Sequence, residues 1–577
     1  MNSKAIKFPF LRIVFVCAIL IVFLLIGISR VFSLQILESD RGPDFLKREG
    51  SKRSQRAFEI PAYRGVITDR HGESLAVSTP VVSIFADPSR LKGAADRTLS
   101  ELSVSMGIPL GELKAKIEKY HNKDFMYLAR HLSPDVARSI LSQNYPGIFE
   151  KKEYRRFYPA GEAVSHVVGI TNVDGRGIEG IELAYDKWLS GETGQKRYIK
   201  NLHGDAVRDI GVVKSARPGG DIHLSIDLRL QHIHHRELRR AMNLYDAESA
   251  SLITLDAKTG EILAMVSEPG YNPNNRLKVN IAAVRNRVLA DSYEPGSTVK
   301  PFTLVAALET GRFKVDTLID TSPGEIKVDG KVLRDQLNYG SITLSKAIVK
   351  SSQVGVTKLA LQLDGETIYE VFRRFGIGEP VNAGFPGESW GLLPRRSIWT
   401  PIQKANLAFG YGLRASPIQI AKAYSVFANN GLQQPVSLLA LETNDLPRPS
   451  RVLSSAIANQ VLRVLGSVTE EDGTGFRAKV PGYSVAGKTG TVRKLGLSGY
   501  EQDQHIALFA GIMPVDDPRF VTVVVIDKPK GDKYHGGTVA APVFSKVAEA
   551  TLRLMSIPPQ KEKVKFVFDS LSLGDRA

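Results

Sequence analysis

The stretch Tyr293-Glu294-Pro295-Gly296-Ser297-Thr298-Val299-Lys300-Pro301-Phe302 decides how this chain is read. It opens an apolar run of helical length, Thr303-Leu304-Val305-Ala306-Ala307-Leu308, which stops at Gly311. Pro301 has no N–H and is tolerated only near the first turn of a helix, so Ser297 is predicted at the helix N-terminus. There its hydroxyl and the amine of Lys300 share one face, the helix dipole favours developing negative charge, and the serine N–H is free to donate. An acyl-transfer nucleophile with an oxyanion donor needs this geometry. A lone S-x-x-K is common in a sequence rich in both residues. The reading sharpens on two further pieces in fixed order: Ser351-Ser352-Gln353, 54 residues after Ser297, and Lys488-Thr489-Gly490-Thr491, 137 residues after Ser351.

Around these pieces the chain alternates strand-like and helix-like runs. Ala216-Arg217-Pro218-Gly219-Gly220 marks a boundary, followed by a strand-like Ile222 to Ile226 and a helix from about Leu228 to Tyr245. SLITLD and EILAMVS read as a strand pair turned at Lys258-Thr259-Gly260, and Ile506 to Ile512 and Phe520 to Ile526 as two more strands. Upstream of the boundary, Gly and Pro punctuate short alternating runs such as Gly65-Val66-Ile67-Thr68. One helix-like stretch, Arg97 to Tyr120, interrupts them. No internal repeat is present.

At the N-terminus, Ile13 to Ser29 holds 17 residues without a charge, and apolar character resumes beyond Arg30, so the segment can cross a bilayer if Arg30 snorkels. It exceeds a cleavable apolar core and no A-x-A-like site follows, which favours an uncleaved signal anchor. Lys4, Lys7 and Arg12 face Arg30, Arg41, Lys47 and Arg48 across it, so the positive-inside rule is nearly balanced. Residues 41–56 carry six basic and two acidic residues and read as a solvated or membrane-surface stalk. With 577 residues the chain exceeds a single small module, and its one cysteine, Cys17, excludes a disulfide framework and any cysteine-built metal site. The net charge of +16 calls for an anionic neighbour without choosing among nucleic acid, phospholipid and acidic polymer.

Three motifs imitate other chemistry. Gly175-x-Gly177-x-x-Gly180 matches a dinucleotide fingerprint but lies in NVDGRGIEG, a turn rather than a strand-to-helix junction. His232, His234 and His235 share a helix with Arg229, Arg236, Arg239 and Arg240, which reads as a solvated basic face, not a cation site. Gly482 to Thr489 satisfies the phosphate-binding P-loop pattern. That loop needs a helix beginning at its Lys-Thr, whereas Gly490, Thr491, Val492, Gly496 and Gly499 predict a strand ending in a turn.

The set S-x-x-K, S-D-N and K-T-G belongs to penicillin-binding proteins and β-lactamases, and the chain resembles the class B penicillin-binding proteins, most closely the FtsI type of cell division. The resemblance covers nearly the whole chain. Arg64 to Gly72 and Tyr158-Pro159 through Glu182 look like the family's pedestal. Arg285-Asn286-Arg287, Asp291, Tyr293 to Gly296, Gly410-Tyr411-Gly412 and Tyr534-His535-Gly536-Gly537 look like its transpeptidase domain. It implies a multidomain α/β architecture. A cytoplasmic tail (1–12), a transmembrane anchor (13–37) and a stalk (38–56) lead into an elongated mixed α/β pedestal (57–220). A transpeptidase domain (221–556), with an antiparallel sheet flanked by helices and an all-helical part, precedes a C-terminal tail (557–577).

The resemblance also implies a peptidoglycan D,D-transpeptidase of septal cell-wall synthesis that is acylated by β-lactams. Ser297 would be the nucleophile and Lys300 its base, with a pKa depressed by desolvation and by Lys488; Ser351 would relay protons between Lys300, Lys488 and the leaving amine. The N–H groups of Ser297 and Thr491 would form the oxyanion hole. Lys488, Thr489 and Thr491 would bind the substrate carboxylate, and Gln353, Gly490 and Tyr534 would line the cleft. No metal or cofactor is expected. Expected partners are stem peptides, β-lactams, the membrane, an FtsW-like SEDS glycosyltransferase and other division proteins, and not nucleic acid. The catalytic domain would lie in the periplasm, held by a single pass through the inner membrane.

Two positions depart from the family pattern: Gln353 stands where asparagine is usual, and Tyr534-His535 where two aromatics are usual. Both are compatible with a specialised paralogue. A hydrolase, either carboxypeptidase or β-lactamase, would need a group to activate water, and the nearest look-alike, Arg334-Asp-Gln-Leu-Asn338, lacks the glutamate. A non-catalytic penicillin sensor or division scaffold is the other rival, and retention of Ser297, Lys300, Lys488 and Thr489 argues against it.

Overall fold

The computed structural model describes residues 10–36, 43–91, 93–200, 206–275, 280–496 and 499–559. The start of the expected tail, the junction of anchor and stalk at 37–42, and all but three residues of the C-terminal tail lie outside them. The chain divides into two compact units, Met1–Tyr63 with Gly191–Gly219, and Arg64–Ser190 with Gly220–Ala577.

In the first unit, Phe10–Gln35 is one helix of 26 residues with no buried side chain. At 1.5 Å per residue it reaches about 39 Å, enough to cross a hydrocarbon core of about 30 Å. Among the described residues it is the one helix long and apolar enough to do so. The basic segment continues as a second helix, Pro43–Ser54. Strands Gln55–Ile60, Gly194–Lys200 and Ala206–Lys214 form an antiparallel sheet in that order.

In the second unit the long strand Ser74–Ala86 pairs antiparallel with Ile148–Phe157 and Met126–Leu132. The stretch expected as one helix, Arg97 to Tyr120, is two, Asp96–Met106 and Leu110–Lys119. Gly107 turns left-handed at φ 64°, the N–H groups of Gly107 and Ile108 close on the carbonyls of Val104 and Ser103, and Pro109 cannot continue the first helix. Arg64 and Glu182, 118 residues apart, meet as a buried ion pair at 2.5 Å, and Arg156 takes the other carboxylate oxygen at 2.6 Å. Both carboxylate oxygens are paired, as burial of the charge requires. The G-x-G-x-x-G stretch is a turn in which Gly175 takes φ 80° and Gly177 and Gly180 serve close backbone packing. A Cβ at Gly180 would lie 2.6 Å from the Gly169 Cα, and one at Gly177 would lie 1.9 Å from the Glu182 carbonyl oxygen.

Beyond the boundary, the expected strand over 222–226 shortens to Ile222–His223, parallel to Ile67–Thr68, and the helix runs Leu228–Leu244. The five-stranded antiparallel sheet at the centre has the order Ile262–Glu268, Ser249–Asp256, Phe520–Asp527, Gly499–Met513, Ala486–Gly496. Helices Leu228–Leu244 and Ala541–Leu554 share one core with it. Helices Lys300–Glu309 and Pro417–Ala428 share another. A sheet covered on both faces explains why Phe520–Asp527 is apolar almost throughout instead of alternating. The histidine reading is corrected here. His234 is fully buried, its Nε2 2.9 Å from Thr254 Oγ1, and His235 pairs with buried Glu268 at 3.0 Å. The helix turns His234 and His235 inward, while His232, Arg229, Arg236 and Arg240 stay exposed as the expected basic face.

Candidate active site

Ser297 lies in the tight turn Gly296–Val299, which runs directly into the helix Lys300–Glu309 with Pro301 in its first turn. It is half-buried, while Glu294 to Gly296 and Thr298 to Lys300 are buried. The turn is held from several sides. Tyr424 OH donates to the Thr298 carbonyl at 2.6 Å, Thr298 Oγ1 donates to the Pro295 carbonyl at 2.7 Å, and Gly296 N–H donates to the Gly410 carbonyl at 3.1 Å. Gly410 belongs to the Gly410-Tyr411-Gly412 signature, and a Cβ there would sit 2.2 Å from the Gly296 oxygen.

The P-loop look-alike is a strand, as its glycines predict: Ala486–Gly496 forms the sheet edge, with Lys488 opposite Ala510 and Thr491 opposite Ala507. It passes close enough to the serine turn that a Cβ at Gly490 would lie 2.9 Å from Thr298 Cγ2 and 3.1 Å from the Pro295 oxygen. On its other side Gly536 fits equally tightly, with its N–H donating to Thr491 Oγ1 at 3.0 Å. A hydroxyl that accepts this bond keeps its own proton available for a ligand.

The second motif completes the arrangement. Lys300 Nζ donates to the Ser351 carbonyl at 2.5 Å and lies 3.2 Å from its hydroxyl. Ser351 takes φ 58°, a left-handed conformation rare for a residue with a Cβ. Ser352 caps the helix Gln353–Leu361, its Oγ accepting from Gly355 N–H at 2.8 Å. Gln353 is the first residue of that helix and half-buried.

Both lysines are buried, Lys300 at 1 % exposure and Lys488 at 0 %. Burial lowers Lys300 to about 7, with the Asp335 carboxylate opposing the shift. Burial also lowers Lys488 well below the ordinary lysine value, and the neighbouring Lys300 lowers it further. Desolvation therefore dominates at Lys300, where the sequence reading named Lys488 as a second cause beside it. Lys488 Nζ donates to the Thr489 carbonyl at 3.3 Å, so the hydroxyl of Ser351 is joined to Lys300 rather than to Lys488.

Sequence reasoning missed Asp335. Its carboxylate accepts from Ser352 Oγ at 2.5 Å, from Gln353 N–H at 2.5 Å and from Val354 N–H at 3.1 Å. It stands in the very stretch compared with a hydrolase element, and nothing local marks it as part of a site. Also missed was His505, whose ring stacks on Tyr534 at 4.0 Å between centroids, with His535 against the other residue's ring at 4.5 Å. No group of three or more potential metal ligands occurs among the described residues.

Comparison with known proteins agrees with this geometry. Residues 250–549 match the family model for the penicillin binding protein transpeptidase domain, and residues 59–224 that for the penicillin-binding protein dimerisation domain. The chain belongs to the class B penicillin-binding proteins of the FtsI type. It is 39 % identical to the peptidoglycan D,D-transpeptidase FtsI of Escherichia coli K12, over 98 % of this chain and 94 % of that protein. It is 40 % identical to the probable peptidoglycan D,D-transpeptidase PbpC of Pseudomonas aeruginosa, over 92 % and 93 %. Among solved structures it resembles penicillin binding protein 3 of Mycobacterium tuberculosis complexed with aztreonam, with 27 % identity, a TM-score of 0.67, and coverage of 87 % and 98 %.

Proposed function

We propose that this chain is a serine-type peptidoglycan D,D-transpeptidase that cross-links stem peptides in septal wall synthesis. The observation that carries the proposal is a fully buried Lys300 amine bonded to Ser351, one helical turn from the half-exposed Ser297. With a pKa near 7, Lys300 is neutral in a large fraction of molecules at neutral pH and can take the Ser297 proton. Ser297 Oγ then attacks the carbonyl between the terminal D-alanines. The N–H groups of Ser297 and Thr491 stabilise the oxyanion, at about 3 kcal/mol per donor in comparable sites. Ser351 passes the proton from Lys300 to the leaving amine, and an amine from a second stem resolves the acyl-enzyme. Thr489 and Thr491, beside Lys488, hold the substrate carboxylate, while Gln353, Gly490 and Tyr534 shape the cleft. β-Lactams acylate the same serine.

Asp335 supports transfer over hydrolysis, because its carboxylate is occupied by Ser352 and Gln353 of the second motif and by Val354 N–H and is not free to activate water. The helix Phe10–Gln35, which overlaps the proposed anchor 13–37, holds the protein in the inner membrane. The stalk 38–56, pedestal 57–220 and catalytic domain 221–556 then extend into the periplasm beside an FtsW-like glycosyltransferase. Fluorescent penicillin labelling with peptide mapping tests the reading. A covalent adduct on Ser297 that disappears in Ser297→Ala is expected, and labelling that survives the substitution overturns it.

A further inference from the structure

The turn Thr469–Gly475 follows the helix Ser455–Val468 and touches both the second and the third motif. Toward the second motif, the Asp472 carboxylate pairs with Lys346 and Lys350, and Lys350 Nζ also donates to the Asp472 carbonyl at 3.0 Å. Lys346 lies on the helix Leu344–Val349 and Lys350 is the residue immediately before Ser351. Toward the third motif, Thr489 Oγ1 donates to Thr474 Oγ1 at 3.0 Å.

The turn itself is closely constrained. Gly475 N–H donates to the Val468 carbonyl at 2.9 Å, and a Cβ at Gly473 would lie 2.0 Å from that same oxygen. Thr469 Oγ1 donates to the Val485 carbonyl at 2.6 Å, at the foot of the Lys488 strand. The Thr474 carbonyl leaves room only for glycine at 537, where a Cβ would lie 2.3 Å away. Two ammonium groups hold the Asp472 carboxyl down at about 2, so its charge persists at any pH used in an assay.

A short rigid turn with one side chain on each motif can fix how far apart the two motifs stand. We propose that Thr469–Gly475 is a positioning clamp for the cleft, in which Asp472 holds the segment that presents Ser351 and Thr474 orients the Thr489 hydroxyl. The clamp rests on the transpeptidase reading above and adds to it two positioning residues outside the three motifs. The two arms act on different steps: on ligand binding the bond between the two threonines reverses, so that Thr474 donates to Thr489 and Thr489 donates to the ligand's carboxylate before reaction, whereas Ser351 bears on Lys300 during acylation.

The test is the acylation kinetics of the full chain with a fluorescent penicillin, resolved into the dissociation constant of the initial complex and the acylation rate constant. Thr474→Val raises the dissociation constant about tenfold and leaves the rate constant within about twofold, and Thr474→Ser, which retains the hydroxyl, restores binding. Asp472→Asn lowers the rate constant about threefold with the dissociation constant unchanged, and Asp472→Glu recovers most of it. Melting temperatures of the four variants stay within about 3 °C of the unsubstituted protein, because the contacts they alter, including both ion pairs of Asp472, are exposed or half-exposed. Wild-type kinetics in Thr474→Val and Asp472→Asn overturn the clamp. So does an equal defect in Thr474→Ser and Thr474→Val, or a parallel fall of both constants with melting temperature. Absence of labelling in the unsubstituted protein sinks the transpeptidase reading and the clamp together, whereas normal labelling with indifferent variants sinks the clamp alone.

Discussion

Lys300 Nζ lies 2.5 Å from the carbonyl oxygen of Ser351 and 3.2 Å from its hydroxyl, so a single residue both anchors the amine and offers it a route for a proton. Only the left-handed backbone of Ser351, at φ 58°, accompanies this double presentation. Backbone in that region costs of order 1–3 kcal/mol for a residue with a Cβ and persists where its surroundings over-determine it. Here the surroundings are the capped helix that begins at Gln353 and the Asp335 carboxylate beneath it.

Acylation by penicillin should rise with pH through a midpoint near 7. The folded-state value of Lys300 is lowered from 10.5 to about 7, so below that midpoint the amine is protonated and cannot accept the serine proton. Each pH unit below the midpoint should cost about tenfold in rate. Acylation rates between pH 5 and 9 check this, and a profile flat across that window would remove Lys300 from the role of base.

Asp335→Asn should lower the plateau rate and move the midpoint. The carboxylate raises the Lys300 pKa, so its removal shifts the profile toward lower pH. Loss of the charged acceptor at the start of the Gln353 helix costs about 1 kcal/mol of local order, and the plateau falls on the order of tenfold as Ser351 loosens. The pair of parameters is read from the same pH series, and a midpoint moving upward would contradict the assignment.

Gly490→Ala should fold and react poorly. Its Cβ would stand 2.9 Å from Thr298 Cγ2 and 3.1 Å from the Pro295 oxygen, so the edge strand must move away from the serine turn. A displacement of about 1 Å at reacting groups costs on the order of a hundredfold. Penicillin labelling kinetics beside a thermal melt separate a displaced strand from an unfolded protein.

Gln353→Asn should accelerate acylation by several β-lactams. The amide proposed to contact the ligand is one methylene further out than the family's usual asparagine and must retract, at an entropic cost, or hold the ligand differently. Rates for both proteins across a small penicillin and cephalosporin panel decide it, with equal rates throughout counting against any specialisation at this position.

How much of this was legible in the sequence follows from the range of each interaction. Pro301 placed Ser297 at a helix start, and the glycines after Lys488 excluded the phosphate-binding helix, because both are local backbone effects. The continuous Arg97–Tyr120 helix failed on a local signal that was present but underweighted, Gly107 followed by Pro109. The histidine-rich helix failed for a different reason. Charge along a sequence does not reveal which side a helix turns to the sheet, and His234 faces Thr254.

By itself, the sequence determined the order and spacing of the three motifs, the apolar helix at the N-terminus and the strand character of the segment around Lys488, since each depends on residue type at short range. Only the tertiary structure decided that Asp335 supports the second motif, that burial rather than a neighbouring charge sets the Lys300 pKa, and that Ser351 bonds to Lys300. Those are properties of desolvation and of contacts between residues far apart in the chain, and both come into being only when the core closes around the site.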